Sequence, residues 1–273
     1  MQTHLLPKLL KGGISATGEA RVMFSMKPNR KAIVFIHGFN GNAIKTWADF
    51  HELLPNSPKS EGRDIYFYGY DGLRSELIAS AAIFGNFLNQ LFNNITPILK
   101  DNLSQPAQRS SSFAYDEILI VAHSLGAVIS RRALLDAPKR GFDWGNKTKL
   151  VLYAPAHMGA RVVALAIETS SSIPILKYFC SLVRFSSPLV EQLQPGSAVL
   201  QALKTDTLSA IVNNDNKHLV AKKVIIAEYE KIVSNDTFAG DPPPVAIPGV
   251  NHIGVCKPTK SFNSPLLHLE DCL

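Results

Sequence analysis

The sequence predicts an α/β fold with a mostly parallel central sheet and helices on both of its faces. Three observations support this. The chain has 273 residues, 46% of them hydrophobic, which is enough to bury a large core in one domain. Apolar, β-branched runs recur along it, and several are continuously hydrophobic, which is typical of strands covered on both faces. Stretches with helical spacing lie between these runs, as in a parallel sheet.

Five runs are predicted as core strands, and a sixth run, residues 21–26, as an edge strand. The five are residues 31–38, 64–70, 117–124, 149–156 and 222–229. Helices are predicted over residues 74–100 and 125–136. Ligands of such sheets bind beyond the carboxyl ends of the strands, so we expect the functional residues there.

One region, residues 157–217, contains no convincing strand. It holds two amphipathic segments, around 173–185 and 197–212, separated by Ser, Pro and Gly residues. We interpret it as a helical cap inserted into a single domain that spans residues 1–273. For its second half, an ordinary crossover helix with a long loop fits equally well. Apolar cap residues would line an acyl pocket or pack the cap onto the core: Ile173, Ile175, Leu176, Phe179, Leu182, Val183 and Phe185.

Composition restricts the partners and the compartment. The formal net charge is +6, but the basic residues are scattered and no aromatic platform is interleaved with them, so nucleic-acid binding is not predicted. A weak peripheral membrane contact through the apolar insert stays open. Cys180, Cys256 and Cys272 have neither metal-ligand spacing nor an even count for disulfides. Without a recognisable signal peptide or an apolar span, we expect a cytoplasmic protein.

The stretch "AHSLGA" at 122–127 is the first functional candidate. It joins the end of a buried strand to the start of a helix, and such a sharp turn projects a serine for nucleophilic attack. The turn requires small residues two positions before and after Ser124, and Ala122 and Gly126 satisfy this requirement. Leu125 would donate its backbone N–H to an oxyanion at the helix N-terminus. The alternative is a serine that merely caps the helix.

A second stretch, "FIHGFNGN" at 35–42, ends an early strand with a His-Gly turn. The backbone N–H of Phe39 would be the second oxyanion donor. His37 would hold the turn by hydrogen bonds. The alternative is a Gly/Asn turn without a catalytic role.

His252, in the late loop "IPGVNHIGVCKP", is the predicted general base, because that loop can fold back over the carboxyl edge of the sheet. His268 is the second choice, although its apolar tail segment favours packing. His123 and His157 could line the pocket without acting as bases. Three histidines are predicted at the surface: His4, His51 and His218.

The acid that orients the base is predicted just after the strand at 222–229. Glu230 follows this strand directly, and Asp236 lies further into the loop. Both carboxylates remain candidates on spacing alone. Glu228 is predicted to point along the strand and is a weaker candidate.

The assembled pattern resembles the α/β-hydrolase family. The similarity is carried by "IVFIHGFNGNAIKTW", "YFYGYDG", "ILIVAHSLGAVISRRAL", "YAPAHMGA", "LQPGSAVLQAL" and "VNHIGVCKP", which together span residues 31–258. More narrowly, the chain is similar to the lipase-like branch that includes GPI inositol-deacylase-like proteins and bacterial serine esterases.

This resemblance implies hydrolysis of carboxylic esters, often of lipidic or acyl substrates, without a metal or an organic cofactor. Its acid lies in an Asp-x-x-Val phrase, and "EKIV" holds that place here, so the resemblance favours Glu230. Glu for Asp and Ala122 for Gly are departures from the family pattern.

The leading hypothesis is therefore a serine hydrolase that works through an acyl-enzyme. Two alternatives stay open: an acyltransferase or thioesterase with the same three residues, and a non-catalytic binding protein that kept the fold.

Overall fold

The computed structural model describes residues 3–11, 20–72, 75–103, 109–110, 112–161, 188–214 and 216–273. Eight strands of these residues form one sheet in the order β1-β2-β4-β3-β5-β6-β7-β8. Neighbouring strands from β4 through β3 to β8 pair in parallel, and only the β1–β2 and β2–β4 pairs are antiparallel. The predicted α/β class with a mostly parallel sheet is confirmed.

The strands agree with the predicted runs within a few residues. Their bounds are β1 Lys8–Leu9, β2 Arg21–Met23, β3 Lys31–Ile36, β4 Asp64–Tyr68, β5 Glu117–His123, β6 Thr148–Tyr153, β7 Lys223–Ala227 and β8 Val245–Ile247. The two-residue β1 covers β2, so the run at 21–26 is not the edge of the sheet. Pattern reasoning missed β1 and β8, because two or three residues are too few to show a period.

The described α-helices are α1 Phe50–Leu53, α2 Leu77–Asn93, α3 Thr96–Asn102, α4 Leu125–Asp136, α5 Pro188–Gln192, α6 Ala198–Asn214 and α7 Ser264–Glu270. Helix α4 has the predicted bounds. The predicted helix over 74–100 is instead two helices, because Asn94 leaves the helical region at φ −149° and Pro97 opens the first turn of α3. Single 3₁₀ turns cover Lys45–Trp47, Leu54–Asn56, Pro58–Ser60, Pro138–Arg140, Gly145–Lys147, Lys217–Leu219 and Gly254–Cys256.

Helices cover both faces of the sheet. On one face, Phe84 and Phe87 of α2 contact the ring of Tyr68, with centroids 4.9 and 5.0 Å away. On the other face, Phe50 of α1 lies 5.1 Å from the ring of Phe35. All five side chains are buried, so the strands are enclosed on both sides.

Residues 162–187 of the predicted cap lie outside the described residues, as do all seven of its predicted pocket-lining side chains. The following helix, α6, packs against α4. Arg132 of α4 donates to the Asp206 carboxylate of α6 at 3.2 Å. This part of the region is thus a helix that packs on α4. Within the described ranges, no helix has both the length and the apolar character required to cross a bilayer.

The register brings four segments to one edge of the sheet. Ile36 pairs with Ala122, His123 with Tyr153, and Ala227 with Ile247. The residues that follow β3, β5, β7 and β8 therefore emerge at the same carboxyl edge. These segments carry the candidate functional residues.

Candidate active site

Ser124 sits on a sharp turn between β5 and α4, with φ 51° and ψ −118°. Its backbone is held on both sides: its N–H donates to Tyr153 O at 3.0 Å, and its carbonyl accepts from Ala127 at 3.1 Å and Ala156 at 3.2 Å. A positive φ at a residue with a side chain costs about 1–3 kcal/mol and persists only where the surroundings enforce it. Such enforced strain is typical of a nucleophile turn.

The residues that pack closest around the Ser124 turn must be small, because backbone atoms crowd them. A Cβ on Gly126 would lie 2.5 Å from the carbonyl oxygens of both Ile36 and His37. A Cβ on Gly38 would lie 2.8 Å from Ser124 Cβ. Ala122 is fully buried in β5 and its methyl group is accommodated there. Glycine is thus required two positions after Ser124, at Gly126, whereas alanine is tolerated two positions before it, at Ala122.

The His-Gly turn after β3 lies against this serine. His37 Nδ1–H donates to Gly38 O at 2.9 Å, and Tyr70 donates its N–H to His37 Nε2 at 3.4 Å and its hydroxyl to His37 O at 3.0 Å. The rings of His37 and Tyr70 stack at 4.4 Å. Burial lowers the pKa of His37 to about 4, so its ring is neutral and holds the turn.

His252 and Glu230 form a buried pair after β8 and β7. His252 Nδ1 lies 3.1 and 3.0 Å from the two carboxylate oxygens of Glu230, and both side chains are fully buried. Because a carboxylate only accepts, Nδ1 carries the proton and Nε2 presents its lone pair. Among the described residues, neither His252 Nε2 nor Ser124 Oγ has a hydrogen-bond partner, although both atoms are buried.

Glu230 is held as a carboxylate by several donors. Its Oε1 also accepts from the backbone N–H groups of Ile232 at 2.8 Å and Val233 at 3.1 Å. Burial by itself raises the pKa of this carboxyl, but the hydrogen bond and charge of His252 and these two N–H groups bring it below the ordinary value. The pair can therefore stabilise a cationic imidazole at His252.

The competing acids lie elsewhere. Asp236 is exposed and accepts from the Ser234 hydroxyl at 2.6 Å. Glu228 accepts from the Gly249 N–H at 2.8 Å. The second-choice base, His268, lies on α7 and is partly exposed. Of the acid candidates weighed from the sequence, it is Glu230 that the structure brings to His252.

The expected surface position of His4 is wrong. His4 is buried, and its Nε2 donates to Arg63 O at 2.7 Å. The segment around it pairs with the chain beside β2, where His4 forms a bridge with Ser25. This burial follows from the pairing of His4 with Ser25, which no local pattern in "MQTHLLPKLL" predicts.

Sequence reasoning also missed a buried ion pair between α4 and the segment that joins β7 to β8. Arg131, on α4, donates to Asp241 at 2.6 Å with both side chains buried. Its other donors reach Leu219 O at 2.5 Å and His157 Nε2 at 3.3 Å. The apolar surroundings of Arg131 within α4 were the available signal, because a charged residue on a buried helix face requires a partner.

A cavity of about 430 Å³ opens beside Glu230 of the Glu230–His252 pair. It lies at the carboxyl edge of the sheet and is lined by Met158, Gly159, Arg161, Pro195 and residues 230–234. No group of three or more potential metal-ligating side chains occurs in the described part of the chain.

Part of the chain matches a known family, and most of it aligns with two curated proteins. Residues 26–161, just under half of the chain, match the family described as "Putative serine esterase (DUF676)". Protein SERAC1 of Homo sapiens is 22% identical over 256 residues, which cover 86% of this chain and 37% of that protein. The Bos taurus SERAC1 is 21% identical over 273 residues, 90% of this chain and 40% of that protein. The chain spans about two fifths of the length of these curated relatives.

Two solved structures show the same fold. The mature Bacillus licheniformis lipase BlEst2 superposes with a TM-score of 0.54 at 15% identity, covering 90% of this chain and 92% of that one. The Paleococcus ferrophilus monoacylglycerol lipase superposes with a TM-score of 0.50 at 15% identity, covering 89% of this chain and 95% of that one. At such identities the likeness establishes the fold. The chain therefore has the α/β-hydrolase fold of these lipases, and part of it is similar to serine esterases.

Proposed function

We propose that this protein is a serine hydrolase that cleaves carboxylic esters, with Ser124 as nucleophile, His252 as general base and Glu230 as the acid that orients it. One observation carries the proposal. His252 presents an unpartnered Nε2 while its Nδ1 is fixed on a buried carboxylate, at the sheet edge where a strained serine presents an unpartnered hydroxyl.

In the first half of the reaction, Ser124 Oγ attacks the ester carbonyl carbon as His252 Nε2 takes the hydroxyl proton. The carbonyl oxygen becomes an oxyanion. Backbone N–H groups of Phe39 and Leu125 are proposed to hold it, because Leu125 opens α4 and Phe39 follows the His-Gly turn packed on Ser124. His252 then gives the proton to the leaving alcohol, and an acyl-enzyme results.

In the second half, His252 takes a proton from water, which attacks the acyl carbon. His252 then returns the proton to Ser124 Oγ as the acyl–Oγ bond breaks and the carboxylic acid leaves. No hydrogen bond joins Ser124 Oγ to His252 Nε2 in this structure. Catalytic hydrogen bonds are often long in a ligand-free site and tighten when substrate binds. Glu230 acts throughout by keeping His252 in the Nδ1–H tautomer and by stabilising its cation.

The substrate class is part of the proposal. Two fold neighbours are a lipase and a monoacylglycerol lipase, and the matching family is described as a serine esterase. These findings support an ester substrate with an acyl chain. A series of p-nitrophenyl esters from two to sixteen carbons tests this: we expect a defined optimum, and equal rates across the series would contradict an acyl site.

Labelling with a fluorophosphonate probe tests the mechanism, since the probe reacts covalently only with an activated serine. We expect stoichiometric labelling that is lost in Ser124→Ala and kept in Ser112→Ala, an exposed serine that precedes β5 at the opposite, amino edge of the sheet. Ser124→Ala should also abolish ester hydrolysis. Wild-type hydrolysis by this variant would refute the proposal, and a folded protein without any labelling would indicate a binding module.

The same three residues can pass the acyl group to an alcohol or a thiol instead of water. Product analysis with added acceptors separates the two outcomes: we expect free acid as the main product, whereas dominant transfer products would assign an acyltransferase.

The cytoplasmic compartment is likewise proposed. A C-terminal fluorescent fusion in fractionated cells should appear with cytosolic markers, and recovery with another compartment would contradict it.

A further inference from the structure

His123, the residue immediately before Ser124, contacts the candidate base directly. Its Nε2 lies 3.0 Å from the backbone carbonyl of His252, and the two rings lie 4.9 Å apart at an interplanar angle of 47°. Its side chain is buried, with 6% of the residue exposed. The contact therefore joins the nucleophile strand to the loop that carries the base.

The chemistry of this contact fixes the protonation of His123. A carbonyl oxygen only accepts, so Nε2 carries the proton and Nδ1 is bare. Burial, the nearby His252, and Lys257 and His37 lower the pKa of His123 well below its ordinary value, although the hydrogen bond to the carbonyl acts in the opposite direction. The ring is thus neutral, and it places no positive charge beside the His252 cation that Glu230 stabilises.

His123 also touches the predicted oxyanion turn. A Cβ on Gly38 would lie 3.1 Å from His123 Nδ1, so glycine leaves room for the ring. The ring of Trp47 also meets the His123 ring edge-on, with the centroids 6.4 Å apart. Held between these groups, the imidazole lies between the serine turn, the oxyanion turn and the base loop.

We propose that His123 is a positioning residue for the esterase reaction, and that its Nε2–H fixes the backbone of His252 while Glu230 fixes its ring. This inference rests on the proposed function. His252 then has two independent anchors, one on its carbonyl and one on Nδ1. A misplacement of about 1 Å in a catalytic group can cost about a hundredfold in rate, so both anchors matter.

Two variants distinguish the contribution of the His123 ring from that of its Nε2–H donor. His123→Phe keeps an aromatic ring and loses the N–H, whereas His123→Gln keeps an N–H at a similar reach. We expect His123→Phe to lower kcat by about 10–100-fold with KM within about twofold, because the buried ring shapes the base and not the substrate site. His123→Gln should recover most of that loss.

A matched control is His4→Phe. His4 is also buried and also donates Nε2–H to a backbone carbonyl, but beside Arg63 at the amino edge of the sheet. This variant should lower the melting temperature and leave kcat per active site unchanged. Titration with the fluorophosphonate corrects every kcat for the fraction of folded, active enzyme.

Two results would overturn the inference: wild-type kcat in His123→Phe, or an equal loss in the Phe and Gln variants. A measurement on the wild-type protein does not depend on activity or on the folding of a variant. Imidazole ¹H–¹⁵N NMR at pH 7 should show His123 as a neutral Nε2–H tautomer, and a Nδ1–H tautomer or a doubly protonated ring would refute it. If Ser124→Ala stays active, the proposed function fails whatever His123 does.

Discussion

Arg131 and Asp241 form a buried ion pair at 2.6 Å that links the helix after Ser124 to the crossover between β7 and β8. The other carboxylate oxygen of Asp241 accepts from the Ala221 N–H at 2.8 Å. The Arg131 guanidinium lies over the Phe238 ring, 4.9 Å from its centroid. The pair therefore ties three segments that surround the acid-bearing loop.

Removing one partner of this pair should destabilise the protein strongly. We expect Asp241→Ala to lower the free energy of unfolding by about 3–5 kcal/mol, because an uncompensated guanidinium is left in the core. Urea denaturation measures the change. The exposed pair of Arg30 and Asp116 is the control, and Asp116→Ala should cost under about 1 kcal/mol. Equal losses in both variants would contradict the role of burial.

The charge of Glu230 should matter more than its hydrogen bond. Glu230→Gln keeps an oxygen acceptor but loses the charge that stabilises the His252 cation, so we expect kcat to fall by about 10²–10⁴-fold. Asp236→Asn should retain wild-type kcat, since Asp236 is exposed and bonded to Ser234. A loss in Asp236→Asn with retention in Glu230→Gln would reverse the assignment.

The two small residues beside Ser124 should respond differently to substitution. Gly126→Ala drives a methyl group to within 2.5 Å of two backbone carbonyl oxygens, so we expect a loss of about 1–3 kcal/mol or more and a distorted serine turn. Ala122→Gly removes one methyl group and should keep the fluorophosphonate reaction. Thermal melts and labelling rates measure both effects. A normal labelling rate in Gly126→Ala would show that the crowding is relieved without moving Ser124.

Acid should destabilise the protein through its buried histidines. Burial lowers the pKa of His37 to about 4 from an ordinary 6.5, and lowers those of His123 and His157 well below their ordinary values. Each ring binds its proton only in the unfolded chain, so its contribution to stability is complete above pH 6.5 and falls as the pH drops. The expected slope is about 1.4 kcal/mol per pH unit for each ring.

The lowered pKa of Glu230 acts in the same direction, because its stabilisation is lost as the pH falls through the folded-state value. This loss occurs below the ordinary carboxyl pKa of 4.5, so urea denaturation between pH 7 and pH 5 measures the slope due to the histidines, and measurements below pH 4.5 add that of Glu230. An unchanged free energy of unfolding over the upper range would contradict neutral imidazoles in the core.

Local sequence patterns predicted much of this site because its main parts follow strands. Ser124 and the His37 turn come directly after buried runs, and strand ends converge at one edge whatever the loops do. The choice between Glu230 and Asp236 required the structure, because both lie in one loop whose path no periodicity encodes. Arg131 was overlooked since its partner, Asp241, is 110 residues away. The burial of His4 depends on a single bridge to Ser25, which is too short to recognise from a sequence pattern.

The proposed acid and base lie only 22 residues apart, whereas 129 residues separate His123 from His252. Two distant stretches of chain thus supply the proposed nucleophile and the acid–base pair. The second stretch is one continuous segment, with Glu230 near its start and His252 near its end. The exposed turn at 234–237 lies between their anchors, at Val233 and Asp241. We expect an insertion at residues 235–237, beyond the cavity-lining residues 230–234, to lengthen this segment without displacing Glu230 or His252, so the chain should accept a tag or a new recognition loop there while keeping its chemistry.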